Sequence, residues 1–243
     1  MDILQLRQKL VQICLDYGAY QGSTEVVVDI PYIPYIPENW NDVLVVAEAQ
    51  NLDVGFYANC SDEQKICRLY PDYDHTQSYA VNGSFPILDV KPWEDGSIPL
   101  ALKAALNLDP YKTAVCNACL WSRRDGNANA NPNEEMQKQS RELWKEMWTN
   151  LAPFVSKVVC CRTIASAIFD FAGEKLKELR HPSPKAMSQI SGMFETVDLL
   201  NRYPEVKNAY QELGGDDIFE TSKQNKIFFA CHTVSLLKTV NRP

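Results

Sequence analysis

Three short apolar runs, separated by segments with helical periodicity, constrain the fold of this chain most strongly. The runs are Asp42–Ala47, Thr113–Cys119 and Val155–Cys161. Each is continuously apolar over most of its length, which is typical of strands buried on both faces of a sheet. Because helical segments separate the runs, the pattern predicts an α/β layered fold with a mainly parallel sheet.

Amphipathic periodicity predicts two clear helices around these strands. One covers 3–17 and ends at Gly18, and the other covers 132–151, with Asn131 as its cap and Pro132 in its first turn. The apolar stripe of the second helix indicates a surface that packs on the sheet. The other predicted elements are a strand at 26–30, an extended segment at 31–40, a helix at 99–107, an exposed loop at 125–131, a helix at 163–171, a strand end and loop at 175–184, and helices at 185–213 and 225–241.

Length and composition are those of an ordinary globular protein. The chain has 243 residues, 45% of them hydrophobic, and a net charge of −7. We expect a single domain over 1–243 that is monomeric. No apolar run reaches the ~20 residues that span a bilayer, so no membrane association is expected. Because Asp2, Arg7 and Lys9 interrupt the apolar amino terminus, it does not read as a signal peptide, and we expect an intracellular, cytoplasmic protein.

The eight cysteines do not have the spacing of a metal site. Only Cys116 and Cys119 form a C-x-x-C pair, and the three histidines are scattered along the chain. A structural zinc site usually needs a second such pair or two histidines. We therefore expect no metal and no cofactor, and we expect reduced thiols packed as small hydrophobic side chains.

Polar residues follow three of the predicted strands. Glu48 lies in the segment 47–51, Asn117 lies in the second apolar run, and His181 opens the sequence His-Pro-Ser-Pro. Each has a simpler interpretation by itself: a surface carboxylate, an asparagine that bridges backbone groups, and a loop histidine. Ligands of such sheets bind beyond the carboxyl ends of the strands, so together the three predict a site there. No Walker loop or G-x-G-x-x-G motif is present.

In these motifs the sequence resembles the uracil-DNA glycosylase superfamily, from about Asp42 to about Ser188. His-Pro-Ser-Pro (181–184) is similar to the second catalytic motif of the family, and 113–161 resembles its strand–Asn–loop–Pro–helix–strand segment. LVVAEAQN (44–51) is similar to the branch whose strand ends in Gly-Glu-Ala-Pro-Gly. The resemblance implies a three-layer α/β/α fold with a central, mainly parallel four-stranded sheet, an N-terminal helix and extra C-terminal helices over 190–243.

The resemblance also implies a monofunctional DNA glycosylase that flips a base out of DNA and hydrolyses its glycosidic bond. His181 would donate a hydrogen bond to the departing base, and Glu48 would position or activate the attacking water. Asn117 would read the edge of the base, because a carboxamide offers a donor beside an acceptor. The expected partner is therefore DNA.

Other family positions imply contacts around the base. Ala49, Gln50 and Asn51 would line the base pocket through their backbone N–H groups. In the aromatic segment 56–85, packing is expected for most residues, whereas Phe56 or Tyr57 is expected to stack on the base because the two follow the first motif closely.

Further positions imply contacts with DNA. Ser183 and Lys185 would bind phosphate, and Met187 would fill the gap in the base stack. A basic rim on the proposed active face would offset the negative net charge locally. Its members would be Arg123, Arg124, Lys175, Lys177, Arg180 and Lys185.

Departures from the family pattern suggest an altered substrate. Ala49 stands where the uracil-specific branch has a catalytic aspartate, and Gln50 and Asn51 replace the Pro and Gly of the similar branch. The pocket is therefore expected to take a modified pyrimidine rather than plain uracil, in defence against phages with modified DNA or in base excision repair. Trp121 and Lys138 stand where cysteines of an iron–sulfur cluster are expected, so no cluster is predicted.

Two alternatives stay open at the level of sequence. The chain is either a catalytically inactive superfamily member that binds nucleic acid or a partner protein, or an unrelated α/β enzyme that acts on a nucleotide or nucleoside. The loss of Gly, Pro and Gly around Glu48 favours the first of these alternatives.

Overall fold

The structure is a computed structural model, and it forms two compact units. It describes residues 1–26, 31, 34, 36–49, 97–109, 112–125, 128–161, 163–179, 199–212, 227–228 and 230–234. One unit comprises 1–90 and 113–179, and the other comprises 91–112 and 180–243.

The strands of the predicted sheet are separated by helices in the described part of the chain, as the sequence predicts. In chain order, the described elements are α1 (Ile3–Tyr17), β1 (Val43–Ala49), α2 (Ser97–Leu106), β2 (Ala114–Cys119), β3 (Arg123–Asp125), β4 (Ala128–Ala130), α3 (Glu134–Leu151), β5 (Lys157–Cys161), α4 (Thr163–Ile168), a 3₁₀ helix (Asp170–Lys175), β6 (Leu176–Leu179), α5 (Leu199–Arg202) and α6 (Pro204–Glu212). The predicted strand at 26–30 lies outside the described residues except for Val26, which forms an isolated bridge with Arg123.

A four-stranded parallel sheet forms the centre of the first unit. Its strand order is β2-β1-β5-β6, and the three neighbouring pairs are all parallel. With its helices, this sheet is consistent with a three-layer α/β fold and confirms the predicted mainly parallel arrangement. Because parallel strands run in the same direction, their carboxyl ends lie at one edge of the sheet and their amino ends at the other.

Polar side chains at the amino edge align β1 with both of its neighbours. The Asn41 side-chain amide donates to the Thr113 hydroxyl at 2.9 Å, just before β2 begins. The Ser156 hydroxyl, just before β5, donates to the Asp42 carboxylate at 2.8 Å. Within the strands, Leu44 is paired with Ala114 on one side and with Val158 on the other. Because the two contacts lie just before these pairs, the residues before β1 help to fix the register.

Strands β1 and β5 are buried on both faces of the sheet, as their continuous apolar runs predict. Side chains alternate between the two faces along a strand. Leu44 and Val46 lie on one face of β1, Val43 and Val45 lie on the other, and all four are buried. The first face belongs to a core that includes residues of α1 and α3. The predicted apolar stripe on α3 is confirmed as part of this core: Met136, Leu143, Trp144, Met147 and Leu151.

Helix α1 is defined at both ends by local hydrogen bonds. Asp2 is the N-cap, and its carboxylate accepts from the Gln5 backbone N–H while the Gln5 side chain accepts from the Asp2 backbone. This reciprocal pair is a capping box. Gly18 ends the helix with a positive φ of 76°, a conformation that glycine adopts without strain. The predicted limits 3–17 are therefore confirmed.

The start of α3 differs from the prediction. The helix begins at Glu134, and its N-cap is Asn133 rather than Asn131, since the Asn133 side chain accepts from the Met136 backbone N–H at 2.9 Å. An asparagine lies on each side of Pro132, and the sequence pattern does not distinguish the two. In the structure Asn133 is the residue with extended backbone directly before the first helical residue, and its side chain accepts from the third helical N–H.

The predicted loop at 125–131 is wrong over most of its length. Strands β3 and β4 form an antiparallel ribbon in which Arg124 is paired with Asn129. The two residues between the strands are Gly126 and Asn127. A glycine-containing dipeptide at this position is a known signal for a two-residue hairpin connection. The polar composition of the segment favours a loop, so composition alone does not predict the hairpin.

The second unit is helical where the structure describes it. Helix α2 contacts α6, and the Lys103 ammonium group lies 2.9 Å from the Glu212 carboxylate. Asn107 follows α2 with a φ of 52°, the left-handed conformation of many helix ends. The helices predicted at 185–213 and 225–241 are confirmed for α5, α6 and residues 230–234. Across the described ranges of the chain, no helix has both the length and the apolar character needed to cross a membrane.

Candidate functional site

The carboxyl edge of the sheet collects the strand ends at which the sequence predicts functional residues. Glu48 and Ala49 end β1, Asn117 lies near the end of β2, and β6 ends at Leu179, two positions before His181. Strand β1 lies between β2 and β5, so the chain moves to one side of β1 and later to the other. Such a switch point opens a crevice beyond the carboxyl ends of the strands, where α/β proteins bind ligands.

Glu48 is a buried carboxylate at this edge, with only 6% of its surface exposed. A buried charge is costly unless other polar groups stabilise it, so a carboxylate in this position is seldom incidental. Its charge acts on a neighbour in β2. Burial, reinforced by the charge of Glu48, raises the pKa of the Cys119 thiol to about 12. The charge of Glu48 therefore acts on Cys119 at the ends of adjacent strands.

Asn117 is also buried, and the backbone around it is hydrogen-bonded to α3. Its exposed fraction is 7%. The register pairs Asn117 with Ala47, one position before Glu48. Regular strand alternation therefore places Asn117 and Glu48 on opposite faces of the sheet. The two residues are brought to the same edge, and the edge is where groups from both faces meet.

Two residues on α3, Trp144 and Ser140, hold the end of β2, and the helical pattern alone predicts neither contact. The Trp144 indole N–H donates to the carbonyl oxygens of Asn117 at 3.1 Å and Ala118 at 3.0 Å. The Ser140 hydroxyl accepts from the Leu120 backbone N–H at 2.9 Å. Ser140 is a polar residue within the apolar stripe of an amphipathic helix, and that position was the available signal.

Trp121, just beyond β2, is fully buried between two tyrosines. Its ring centroid lies 5.6 Å from that of Tyr17 and 5.3 Å from that of Tyr20. Lys138, the other position at which the family resemblance leads us to expect a cluster cysteine, is exposed on α3. The described part of the chain contains no group of three His, Cys, Asp or Glu side chains that could hold a metal ion.

The basic residues predicted to form a rim do not all lie at this edge. Arg123 belongs to β3, close along the chain to the end of β2, and its guanidinium donates to the Asn131 carbonyl at 3.3 Å. Arg124 is the next residue of the same strand. Lys175, by contrast, lies before β6, at the amino edge, and its ammonium group donates to the carbonyls of Ala152 at 2.8 Å and Val155 at 2.7 Å.

The prediction that Lys175 belongs to a basic rim on the active face is therefore wrong. A cation beside the carbonyls at the end of a helix is stabilised by the helix dipole and by those acceptors; here the helix is α3, and Ala152 is its C-cap. Lys177 is exposed in the middle of β6. Among the described residues, the members of the predicted basic rim that lie close along the chain to the carboxyl edge are Arg123 and Arg124 of the β3–β4 ribbon.

Several predicted site residues lie outside the described residues. They are Gln50, Asn51, Phe56, Tyr57, Arg180, His181, Ser183, Lys185 and Met187.

The described cysteines are buried free thiols, as predicted: Cys14, Cys116, Cys119, Cys160, Cys161 and Cys231. Burial raises the pKa of Cys14, Cys116 and Cys160 well above the ordinary value and that of Cys231 to about 12. Cys116 and Cys160 are both paired with Val46, one strand away on each side. Two strand spacings amount to about 10 Å, too far for a disulfide.

Comparisons with known proteins do not assign the chain to a family. No protein-family model matches it. No curated protein matches it either.

Proposed function

We propose that the protein is a DNA glycosylase of the uracil-DNA glycosylase superfamily that removes a modified pyrimidine. The observation that carries the proposal is the arrangement of the sheet. The strands that precede the three resembling motifs are parallel members of one sheet, so their carboxyl ends share an edge. On the same motifs, we also propose that the α/β/α fold is that of this superfamily.

The proposed reaction is hydrolysis of the bond between C1′ of the sugar and a nitrogen of the base. A base within a duplex cannot be reached, so it is first flipped out at a cost of a few kcal/mol. As the bond breaks, the sugar gains positive charge and the base leaves with the bonding electrons. Glu48 opposes the positive charge and orients the water that adds to C1′. His181 donates a hydrogen bond to the base as its negative charge grows.

Substrate choice in this proposal depends on Asn117 and on the residues around Glu48. The Asn117 carboxamide pairs with the edge of the flipped base, with its donor and acceptor side by side. Ala49 carries no carboxylate, so water activation falls to Glu48. Gln50 and Asn51, which replace smaller or more rigid residues of the resembling branch, fit a larger or more polar base.

Contact with DNA is proposed for the β3–β4 ribbon. The ribbon begins at Arg123, four positions after the last residue of β2, and it carries two consecutive arginines. Arginines bind phosphates, and a protein that binds several phosphates releases counterions, so its affinity falls as the salt concentration rises. The negative net charge of the chain makes such a local basic element necessary for DNA binding.

Arg124→Ala is expected to weaken binding to a short DNA duplex. Loss of one phosphate contact should reduce the slope of log affinity against log salt by about 0.9. Fluorescence anisotropy over a salt series measures this slope. Lys145→Ala is the matched control, because Lys145 is exposed on α3 and its removal changes the net charge equally. Equal slopes for the two variants would show that the ribbon does not contact phosphate.

The second candidate function is an inactive relative that binds nucleic acid. One observation favours it: strand alternation places Glu48 and Asn117 on opposite faces of the sheet, whereas the proposed reaction needs both to act on one nucleotide. Such a protein would keep its DNA affinity and release no base.

A substrate panel tests the proposed function. The purified protein is incubated with uracil-containing DNA, unmodified DNA and phage DNA that carries modified cytosines. Freed bases are identified by mass spectrometry, and abasic sites are scored by strand cleavage in alkali. We expect release of a modified pyrimidine. Efficient release of uracil alone would contradict the proposed substrate, and release from free nucleosides without any action on DNA would favour an unrelated nucleoside hydrolase.

A further inference from the structure

We infer that Trp144 and Ser140 are positioning residues for Asn117, and thereby set which base the site accepts. The consequence for base choice rests on the proposed function, whereas the positioning itself does not. The observation is a pair of side chains on α3 that hydrogen-bond three backbone groups of the segment 117–120.

The position of β2 explains why this pair is needed. Strand β2 is an outer strand of the described sheet, and β1 is its neighbour there. An edge strand presents backbone groups that no second strand can satisfy. Buried backbone groups must nevertheless find partners. Trp144 and Ser140 supply partners from α3 for the carbonyls of Asn117 and Ala118 and for the N–H of Leu120.

The spacing and burial of the two residues suit this role. They lie four positions apart, and residues at that spacing share one face of a helix. Both are 0% exposed. Trp144 also packs against Phe169, with ring centroids 4.7 Å apart, so its indole is held on a second side. A donor fixed in this way leaves the carbonyls of Asn117 and Ala118 little freedom to rotate.

Rotation of the backbone at 117 would move the Asn117 carboxamide with it. Discrimination between two bases by a carboxamide depends on which of its atoms meets which edge of the base. A change in the backbone at this point therefore alters base choice more than it alters affinity for DNA as a whole.

Trp144→Phe tests the inference, with Trp148→Phe as the matched control. Both substitutions remove one indole N–H and replace it with a smaller ring. Trp148 is half-buried one turn further along α3, and its ring packs on Phe171. The first readout is the side-chain amide resonance of Asn117 in protein labelled with ¹⁵N-asparagine, assigned by its loss in Asn117→Asp.

We expect the Asn117 resonance to shift in Trp144→Phe and to stay in place in Trp148→Phe. Ser140→Ala provides a second variant should Trp144→Phe fail to fold, and it should shift the same resonance because the Leu120 N–H loses its acceptor. An unmoved resonance in folded Trp144→Phe or Ser140→Ala would overturn the inference, whether or not the protein releases any base.

The second readout is the ratio of kcat/KM between the preferred base and its closest competitor. Loss of one hydrogen bond should lower this ratio roughly three- to tenfold in Trp144→Phe and leave it unchanged in Trp148→Phe. An unchanged ratio in an active Trp144→Phe enzyme would also overturn the inference. If the wild type releases no base while the resonance shifts as expected, the proposed function fails and the positioning of Asn117 by α3 stands.

Discussion

Raising the pH from about 8 to about 10 is expected to destabilise the folded protein steeply, because buried thiols keep protons that the unfolded chain loses. The pKa values of Cys14, Cys116, Cys119, Cys160 and Cys231 are all raised by burial above their ordinary value of 9.0. Above about pH 9 these thiols ionise in the unfolded chain and stay neutral in the folded protein. The unfolded state then binds fewer protons, so the free energy of unfolding falls as the pH rises.

Each of these thiols contributes a slope of about 1.4 kcal/mol per pH unit between its unfolded and folded pKa values. A typical domain has only ~5–15 kcal/mol of stability, so the five together can unfold it within one to two pH units. Urea unfolding at a series of pH values, with a phosphine reductant present, measures the free energy directly.

Cys116→Ala should reduce the alkaline slope by about 1.4 kcal/mol per pH unit, because it removes one titrating thiol. Val158→Ala is the control: Val158 is fully buried in the neighbouring part of the sheet and does not titrate, so it should lower stability equally at every pH. A wild-type stability that stays level between about pH 8 and about pH 10 would contradict the account.

Trp144→Ala is expected to cost about 3–5 kcal/mol of stability. The substitution opens a cavity in the core, removes the contact with Phe169 and leaves the carbonyls of Asn117 and Ala118 without their indole donor. Thermal and urea unfolding by circular dichroism measure the loss. Hydrogen exchange should rise most in the peptide that contains 117–120.

Trp148→Ala is the control for this substitution and should cost roughly half as much, because the ring is only half-buried. Its indole packs on Phe171 and lies 5.9 Å from the Lys175 ammonium group. If the two alanine variants lose equal stability with equal exchange at 117–120, then Trp144 does not have the role at β2 described above.

Strands and helices with a single strong pattern could be predicted from the sequence. The run before Glu48 is continuously apolar, and it forms β1, buried on both faces. The periodicity of 3–17 ends at a glycine, and α1 ends there. In both segments, local propensity and burial favour the same structure, so no tertiary contact was needed to decide between alternatives.

Other features depend on contacts that lie far apart in the sequence. The ribbon of β3 and β4 is rich in polar residues, and the pairing of 123–125 with 128–130 identifies it as strand. Lys175 follows a helical pattern and precedes a short strand, and its two carbonyl partners are about 20 positions away. The position of Lys175 near a motif predicted that it lies on the active face, whereas in the structure it lies at the end of α3.

The candidate site was predictable in its location but not in its geometry. Strand ends identified Glu48 and Asn117, because parallel strands share a carboxyl edge. The register that places them on opposite faces is that of β1 against β2, and the contact of Asn41 with Thr113 at the other edge helps to fix it. The hydrogen bonds from α3 to β2 join residues more than twenty positions apart, and only the structure shows them.

The most direct test of the account compares base release by the wild type with release by His181→Ala and Glu48→Gln on the DNA substrate that the wild type prefers. Lys145→Ala, exposed on α3, serves as the control. We expect free base and abasic sites from the wild type and the control, and a loss of at least about a hundredfold in the two site variants. Binding of DNA by the wild type without release of any base would contradict the glycosylase proposal and identify the protein as a nucleic-acid-binding relative.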